Sequence, residues 1–572
     1  MDYLGKYNEW INSEYIDKKT KKELEEIKNN KKEIEERFYK DLEFGTAGMR
    51  GIIGNGTNRM NKYTVTKATQ GLANYIKKNN PKKKPVVISY DSRHFSKEFS
   101  EETALCLNAN GIKTYVFEKL APVPELSYAV RNLKCIAGVM ITASHNPAKY
   151  NGYKVYWEDG SQIVDPVASE LIEEVNKVEI KDVKSISKTD AINKGLYNKV
   201  DKEIEKEYIN TVAKLILNPE VIKKMADDLT IVYTPLHGAG NVPVQKILKK
   251  IGFKNVYVVP EQEEPDGDFP TVEYPNPESK DAFKMALDLG KRVKADVVLA
   301  TDPDADRLGV YAINSKTKKY ETFTGNMSAL LIAEYELSQK KEKGLIPKKG
   351  AIVKSIVSSN LADAIAEEYG LKMFDVLTGF KYIGEKIKEF EEKDSYKYMF
   401  GFEESYGCLI DTYARDKDGV AAVVALCEAA AYYKTKGMTL CDQMEEIYKK
   451  YGYYKEETVS ITKEGKAGLE EIAQIMENLR NKPVKKYGRF KIVKYTDYKT
   501  GKVIEGKKET KTKLPKSNVL YYDLENNGWV AIRPSGTEPK IKLYFGVKDK
   551  TEKKAIEKLE KLKNEVQKIV NK

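Results

Sequence analysis

Residues 136–147 read Ile136-Ala137-Gly138-Val139-Met140-Ile141-Thr142-Ala143-Ser144-His145-Asn146-Pro147, an apolar run that breaks directly into a polar turn. A short apolar run closed by turn-forming residues is the pattern of a buried strand feeding a loop. Ser144 is therefore expected at the C-terminal edge of a strand, and in open α/β sheets that edge is where ligands bind.

Working outward, similar strand-like runs occupy 85–90, 229–233, 255–259, 295–300 and 351–356. Helical patterns lie between them at 65–77, 97–110, 242–251 and 279–289. This alternation predicts an α/β protein with parallel, doubly wound sheets. Three breaks divide it: a polar, lysine-rich connection at 176–202, a hairpin-like turn at 314–325 ahead of a helix from Met327, and residues 448–457 after the alanine-rich helix 419–435. Beyond them, strands in 487–493 and 518–547 and a terminal helix 551–570 predict an α+β module. The expected domains are 1–200, 201–322, 323–452 and 453–572.

A chain of 572 residues has room for roughly three to five domains. Its 41% hydrophobic and 32% charged residues are ordinary for a soluble globular protein. No apolar stretch reaches the roughly 20 residues that span a bilayer, so no membrane partner is expected. The run 420–431 contains Glu428 and reads as a core helix. The start MDYLGKYNEW has no basic-then-apolar signal. Five scattered cysteines without metal-type spacing fit free thiols in a reducing cytoplasm. The net charge of +12 is spread through mixed Lys/Glu helices such as 18–40 and 551–572. That pattern gives i,i+4 pairs, not a one-sided basic stripe, and argues against nucleic acid.

Four loops carry chemistry. A free serine hydroxyl is a poor nucleophile and needs a base, a metal or an electrostatic cradle; His145 is adjacent and Lys154 follows in Asn151-Gly152-Tyr153-Lys154. Thr301-Asp302-Pro303-Asp304-Ala305-Asp306-Arg307 follows an apolar run. Three carboxylates at every second position of an extended segment project to one side and repel unless a cation joins them. Hard oxygen ligands suit Mg²⁺ or Ca²⁺. An EF-hand is excluded, because Arg307 stands where that loop needs glycine and Ile313 where it needs glutamate. Gly401-Phe402-Glu403-Glu404-Ser405-Tyr406-Gly407 offers acceptors for vicinal sugar hydroxyls. Arg533-Pro534-Ser535-Gly536-Thr537-Glu538-Pro539 combines a guanidinium, hydroxyls and a glycine-freed backbone, a phosphate nest. Gly45-Thr46-Ala47-Gly48-Met49-Arg50-Gly51 and Thr378-Gly379-Phe380-Lys381 add flexible backbone and two cations. Gly238-Ala239-Gly240 imitates a dinucleotide fingerprint, but Pro243 replaces its third glycine.

With all four loops in order between Gly45 and Pro539, the chain resembles the α-D-phosphohexomutase superfamily, and its phosphoglucomutase members in particular. The resemblance implies four domains around a central cleft: three related α/β units with mixed sheets, and a C-terminal α+β lid. It implies an isomerase, an intramolecular phosphotransferase that interconverts glucose 1-phosphate and glucose 6-phosphate. Mg²⁺ would be the cofactor and glucose 1,6-bisphosphate the activator and intermediate. By motif, Ser144 is the phosphoserine and, with Asp302, Asp304 and Asp306, a metal ligand. Arg50, His145, Lys154 and Lys381 take catalytic positions around the transferring group. Thr46, Arg307, Thr378, Gly379, Glu403, Ser405, Arg533, Ser535, Gly536 and Thr537 take substrate-binding ones. The metal loop reads Asp-Pro-Asp where many members have Asp-Gly-Asp. Pentose and mannose phosphates are the alternative substrates, and a non-catalytic sugar-phosphate-binding protein the alternative of another class. A monomer or weak homodimer is expected.

Overall fold

The computed structural model of the chain describes residues 2–45, 48–463, 465–535 and 540–570. The chain forms two compact units, one of residues 1–332 with 380–441 and the other of 333–379 with 442–572.

In the first unit the leading sheet contains β1 (Met49–Ile52), β2 (Val86–Tyr90), β3 (Thr114–Val116), β4 (Ala137–Ile141), β5 (Tyr150–Trp157) and β6 (Tyr197–Lys199), in the order β1-β5-β4-β2-β3-β6. Every residue of β2 and β4 is buried, as a sheet covered by helices on both faces requires. Helix Lys62–Asn79 starts at Asn61, whose side chain accepts from the Tyr63 and Thr64 N–H groups. Its Leu72 joins Ile88, Leu107, Val139 and Ile141 in the core. The centre of the sheet is parallel, but β5 returns antiparallel to β4 and β1 antiparallel to β5. The alternation of elements alone predicts parallel sheets and the family resemblance mixed ones; the sheet is mixed, and the antiparallel return arises because only residues 142–149 join β4 to β5, too few for a crossover. The polar stretch 176–202, read as a break, contains helix Lys188–Asn193 and β6, which extends this sheet beside β3.

The second sheet repeats the device. It contains β7 (Thr230–Thr234), β8 (Asn255–Val258), β9 (Val297–Thr301), β10 (Leu308–Ile313) and β11 (Tyr320–Phe323), in the order β11-β10-β9-β7-β8. β7 is parallel to β8 and β9, and β10 returns antiparallel to β9 through residues 302–307 alone. Helix Gly419–Lys434 is buried along almost its whole length. Glu428 survives inside it because its carboxylate accepts the Leu217 and Asn218 N–H groups, ahead of helix Pro219–Met225.

In the second unit, strands Gly350–Ser355 and Lys372–Val376 pair in parallel with helix Leu361–Glu368 between them in sequence. An antiparallel sheet follows, with strand Tyr453–Thr462 paired along Lys540–Asp549, and then Gly528–Pro534, Leu520–Leu524 and Phe490–Asp497. Helices Gly465–Asn481 and Glu552–Val570 cover it through Ile472, Met476, Leu562 and Val566, packed on Val530, Leu543 and Phe545. The strand read at 487–493 is split by a turn at Gly488, φ 54°, into Lys486–Tyr487 and Phe490–Asp497, which pair with each other. No described helix is long and apolar enough to cross a membrane.

Candidate active site

The Ser144 loop, the aspartate loop and the Glu403 loop lie in the first unit, and each turns on a non-glycine residue of left-handed φ: Ser144 at 52°, Ala305 at 49° and Tyr406 at 65°. That region costs an L-residue roughly 1–2 kcal/mol, and such strain collects at functional turns. It also corrects the reading of the aspartate loop. Residues 302–306 form a turn, not an extended segment, and the turn rather than alternation brings the three carboxylates together. One oxygen of each of Asp302, Asp304 and Asp306 lies within 4.8 Å of the others, and all three side chains are buried. Gly238, of the loop that imitates a dinucleotide site, has its α-carbon against Pro303, and the Ala239 N–H donates to the Pro303 carbonyl at 2.8 Å. That loop is filled by protein.

Ser144 is 3% exposed. Its Oγ donates to Asp302 Oδ2 at 2.8 Å and stands 3.2 Å from His145 Nδ1, while its N–H donates to Thr142 Oγ1 at 2.8 Å. Thr142 Oγ1 bonds Asp91 Oδ2 at 2.5 Å and reaches Asp304 Oδ2 at 3.3 Å. The strand edge thus ties the serine to the carboxylates, 158 residues apart in sequence in the case of Asp302.

Three cations answer the triad. Lys154 Nζ lies 2.8 Å from Asp304 and 3.9 Å from Asp306. Lys417 Nζ lies 3.1 Å from Asp306 and 3.2 Å from Asp416. Arg307 Nε is 3.8 Å from both Asp302 and Asp306, and its Nη1 pairs with Glu278 at 2.5 Å. Asp304 Oδ1 and Asp306 Oδ1 remain buried without a hydrogen-bond partner among the described residues. Orphaned carboxylate oxygens converging in one place suit a divalent cation, since buried acceptors are otherwise satisfied. Burial, with Asp304 and Asp306 beside it, pushes the Asp302 carboxyl well above the usual range. Burial works the same way on Asp304, but Lys154 and Lys417 hold that group below it. Two adjacent carboxylates driven apart in this way are what neighbouring like charges produce when lysines favour the ionised form of only one of them. Burial and the charges of Arg307, Arg50, Arg93 and Lys154 lower His145, leaving a neutral ring beside Ser144.

Of the other residues singled out in the sequence, Arg50 donates to Asn146 Oδ1 at 3.1 Å, on the Ser144 turn. Glu403 ends strand Lys397–Glu403, is buried, and its charge acts on Lys417. Ser405 stands at the tip of that hairpin, which the Leu308 N–H ties to the aspartate loop through the Tyr406 carbonyl at 2.9 Å. Lys381 opens helix Lys381–Lys393, its carbonyl accepting from Ser161 Oγ at 3.5 Å. Thr378, Gly379, Arg533 and Ser535 belong to the second unit. There Arg533 faces Lys542 across the hairpin and the Ser535 N–H donates to the Lys540 carbonyl at 2.7 Å. Thr46, Gly536 and Thr537 lie outside the described residues.

The sequence reading missed Asp91, Arg93, Asp416 and Lys417. Arg93 is fully buried and donates to the carbonyls of Ser144, Asn146, Pro147 and Tyr150. Tyr90-Asp91-Ser92-Arg93 follows β2 as the Ser144 turn follows β4, so the same strand-edge signal was there to be used. Asp416-Lys417-Asp418 gave its signal by standing directly before the buried helix.

Comparison with known proteins agrees with this arrangement. Four family models match in order: phosphoglucomutase/phosphomannomutase alpha/beta/alpha domain I over 41–182, domain II over 206–314, domain III over 324–451, and the C-terminal domain over 493–563. A phosphoglucomutase of Staphylococcus saprophyticus is 38% identical over 512 residues, covering 88% of this chain and 90% of that protein. One of Staphylococcus epidermidis is 36% identical over 546 residues, covering 94% and 96%. Among solved structures, parafusin, a phosphoglucomutase from Paramecium in its open form, matches with a TM-score of 0.68 at 19% identity, covering 93% of this chain and 96% of that one. A phosphoglucomutase/phosphomannomutase family protein of Burkholderia thailandensis matches with a TM-score of 0.66 at 17% identity, covering 92% and 97%. With a serine turn and an aspartate loop joined at two matching strand edges, and all four family domains present in order, the chain belongs to the phosphoglucomutase/phosphomannomutase family.

Proposed function

We propose that this chain is a phosphoglucomutase, interconverting α-D-glucose 1-phosphate and glucose 6-phosphate through a phosphoserine at Ser144 and a glucose 1,6-bisphosphate intermediate. The observation that carries the reading is the 2.8 Å contact of Ser144 Oγ with Asp302, inside a buried three-carboxylate set ringed by cations. Relatives 36–38% identical over most of the chain are named phosphoglucomutase, which supports glucose as the sugar.

Phosphoryl transfer is mostly positioning and charge neutralisation. Asp302, Asp304, Asp306 and an oxygen on Ser144 would hold Mg²⁺, which when bound supplies positive charge against the phosphoryl oxygens. Arg93 and Arg50 fix the turn that presents Ser144. Burial opposes charge on Lys417, yet Asp306, Asp416 and Glu403 keep its ammonium protonated, between the aspartate loop and the sugar loop. Phosphorylated Ser144 passes its phosphoryl group to the free hydroxyl of the bound sugar phosphate. The other phosphoryl group of the bisphosphate then returns to Ser144 after the sugar turns over. Glu403 and Ser405 take the sugar hydroxyls, and Arg533, Ser535, Gly536 and Thr537 the phosphate that is not reacting. Thr46, Thr378 and Gly379 complete the substrate contacts, and His145, Lys154 and Lys381 the surroundings of the transferring group.

We assign domains to 1–200, 201–322, 323–452 and 453–572; one family match falls within each. We also propose a cytoplasmic monomer or weak homodimer without nucleic-acid or membrane partners, and four buried free cysteines accord with a reducing compartment.

The test is a substrate panel. Glucose, mannose, glucosamine and ribose 1-phosphates are offered with Mg²⁺ and a trace of glucose 1,6-bisphosphate, with Ser144→Ala as control. Ser144-dependent formation of glucose 6-phosphate, faster than turnover of the other sugars, is the expected result. Faster turnover of ribose or mannose 1-phosphate changes the substrate, and no turnover of any sugar overturns the enzyme reading.

A further inference from the structure

The hairpin of strands Gly528–Pro534 and Lys540–Asp549 carries Arg533 at one end. Its opposite end, about 23 Å away at the usual rise per residue, borders a concavity of about 450 Å³ lined by Arg489, Lys491, Lys554, Lys558 and Lys561 among others. Lys554, Lys558 and Lys561 stand at i, i+4 and i+7 of helix Glu552–Val570, on one face of it. The sequence reading treats this helix as mixed charge paired along itself. Lys563 and Lys568 do pair with glutamates of the helix, but the three lysines that face the concavity do not.

Lys491 pairs with Glu525 at 3.3 Å. Arg489, Lys554, Lys558 and Lys561 make no ion pair among the described residues. The Arg489 guanidinium lies over the Phe490 ring at 5.3 Å, and Lys558 Nζ donates only to the Lys548 carbonyl, at 2.9 Å. Burial lowers the Lys558 ammonium, with Asp549 opposing the shift and Arg489 adding to it. Five cations against three carboxylates leave an excess of positive charge around one hollow that holds no catalytic group, which suits an anion.

We propose that this concavity is a second anion site, which takes a small molecule carrying two phosphoryl groups. Its volume falls within the range of small-ligand pockets, about 300–1,000 Å³. The lysine row runs about 10 Å along the helix, longer than one phosphate needs. Arg489 offers the planar fork that grips phosphate in two-pronged fashion, and the lysines supply point charges. Glu525, Asp549 and Glu557 also line the hollow. They interrupt any continuous basic track, which disfavours a long polyanion such as RNA.

The test uses inorganic pyrophosphate on the full chain without metal, read by lysine acylation and mass spectrometry. Pyrophosphate is expected to protect Lys554, Lys558 and Lys561 saturably, at least tenfold more tightly than inorganic phosphate, and to leave Lys553 unprotected. The triple variant K554Q/K558Q/K561Q is expected to lose one pyrophosphate site by titration calorimetry while keeping its turnover. Equal protection by chloride at matched ionic strength overturns the site, as does unchanged pyrophosphate stoichiometry in the variant. Protection by single-stranded oligonucleotides that tightens with their length overturns the small ligand in favour of a polymer.

Discussion

Arg93→Lys separates holding the Ser144 turn from merely filling space beneath it. The guanidinium is completely buried, lies 3.3 Å from Asp91, and donates to carbonyls of Ser144 at 2.5 Å, Pro147 at 2.9 Å and Tyr150 at 3.1 Å, as well as to Asn146. A lysine ammonium keeps the charge that Asp91 needs, but its three donors radiate from one point and reach about two of the four carbonyls. Losing two charge-assisted hydrogen bonds, each worth roughly 1.5–3 kcal/mol and not fully additive, predicts about 2–4 kcal/mol of lost stability. Complete removal of the charge, as in Arg93→Met, would strand Asp91 and cost about 3–5 kcal/mol. Function suffers separately. Ser144 is held at an unfavourable φ, so a loosened turn relaxes and draws Oγ away from Asp302. Misplacement by about 1 Å costs on the order of 100-fold in rate. The expected result is a kcat about 100-fold down in a coupled glucose 6-phosphate assay, with KM and the Mg²⁺ requirement within about threefold of wild type. Loss of stability by urea unfolding with kcat intact would refute the positioning role. Wild-type values of both would mean that the turn holds itself.

Asp304→Asn keeps the shape of the loop and removes one charge from the carboxylate set, leaving Lys154 without its charged partner at 2.8 Å. The Mg²⁺ concentration for half-maximal turnover should rise about 10–100-fold, and an unchanged metal titration would remove the aspartate loop from metal binding. Glu125→Gln addresses pH. Burial, with Glu205 and Asp418 adding to it against Lys246, pushes Glu125 up to about 8 from an ordinary 4.5. The folded chain therefore keeps a proton that the unfolded chain releases from about pH 4.5 upward, so stability falls as pH rises through that window and levels off above about 8. At pH 7 the loss is about 3 kcal/mol relative to pH 4.5. Gln, neutral throughout, should flatten the dependence and stabilise the chain at pH 7; parallel urea midpoints for variant and wild type from pH 5 to 8 would contradict this.

How much of this could be read from the sequence follows from which forces act locally. Val86–Tyr90, Ala137–Ile141 and Val297–Thr301 are buried at every position, so each writes itself as an apolar run, and the polar residue that follows marks the strand edge. Ser144 and the three aspartates were legible for that reason. The antiparallel returns to β5 and β10 were not, because strand direction is set by the length of the connection, and the strand composition is the same either way. The extended form expected for 302–306 gave way to a turn at Ala305, where tertiary packing overrides the preference of alanine for negative φ. Lys417 and Arg93 escaped because their partners are remote in sequence. Lys417 Nζ answers Asp306, and Arg93 answers carbonyls about 50 residues on. The face that Lys554, Lys558 and Lys561 present was equally hidden, since the sequence gives their spacing on the helix but not what the helix packs against.

The charges at the Ser144 edge also constrain how metal and phosphate enter. Asp302, Asp304 and Asp306 carry three negative charges when ionised, and Lys154, Arg307 and Lys417 carry three positive ones against them. A divalent cation alone would tip this buried set positive, and a phosphoryl group on Ser144, of charge roughly −1.5 to −2 at pH 7, would alone tip it negative. Together they nearly cancel, so each should favour the other, and such coupling is reciprocal by thermodynamic necessity. In a low-dielectric site the coupling should reach at least the 1–3 kcal/mol typical between linked sites, or about tenfold in affinity. Titration calorimetry of Mg²⁺ into chain phosphorylated at Ser144 and into dephosphorylated chain measures it directly. The phosphorylated chain should bind at least about tenfold more tightly. Equal affinities would mean that the phosphoryl group stands away from the aspartates, and would break the link between Ser144 and the metal loop on which the proposed reaction depends.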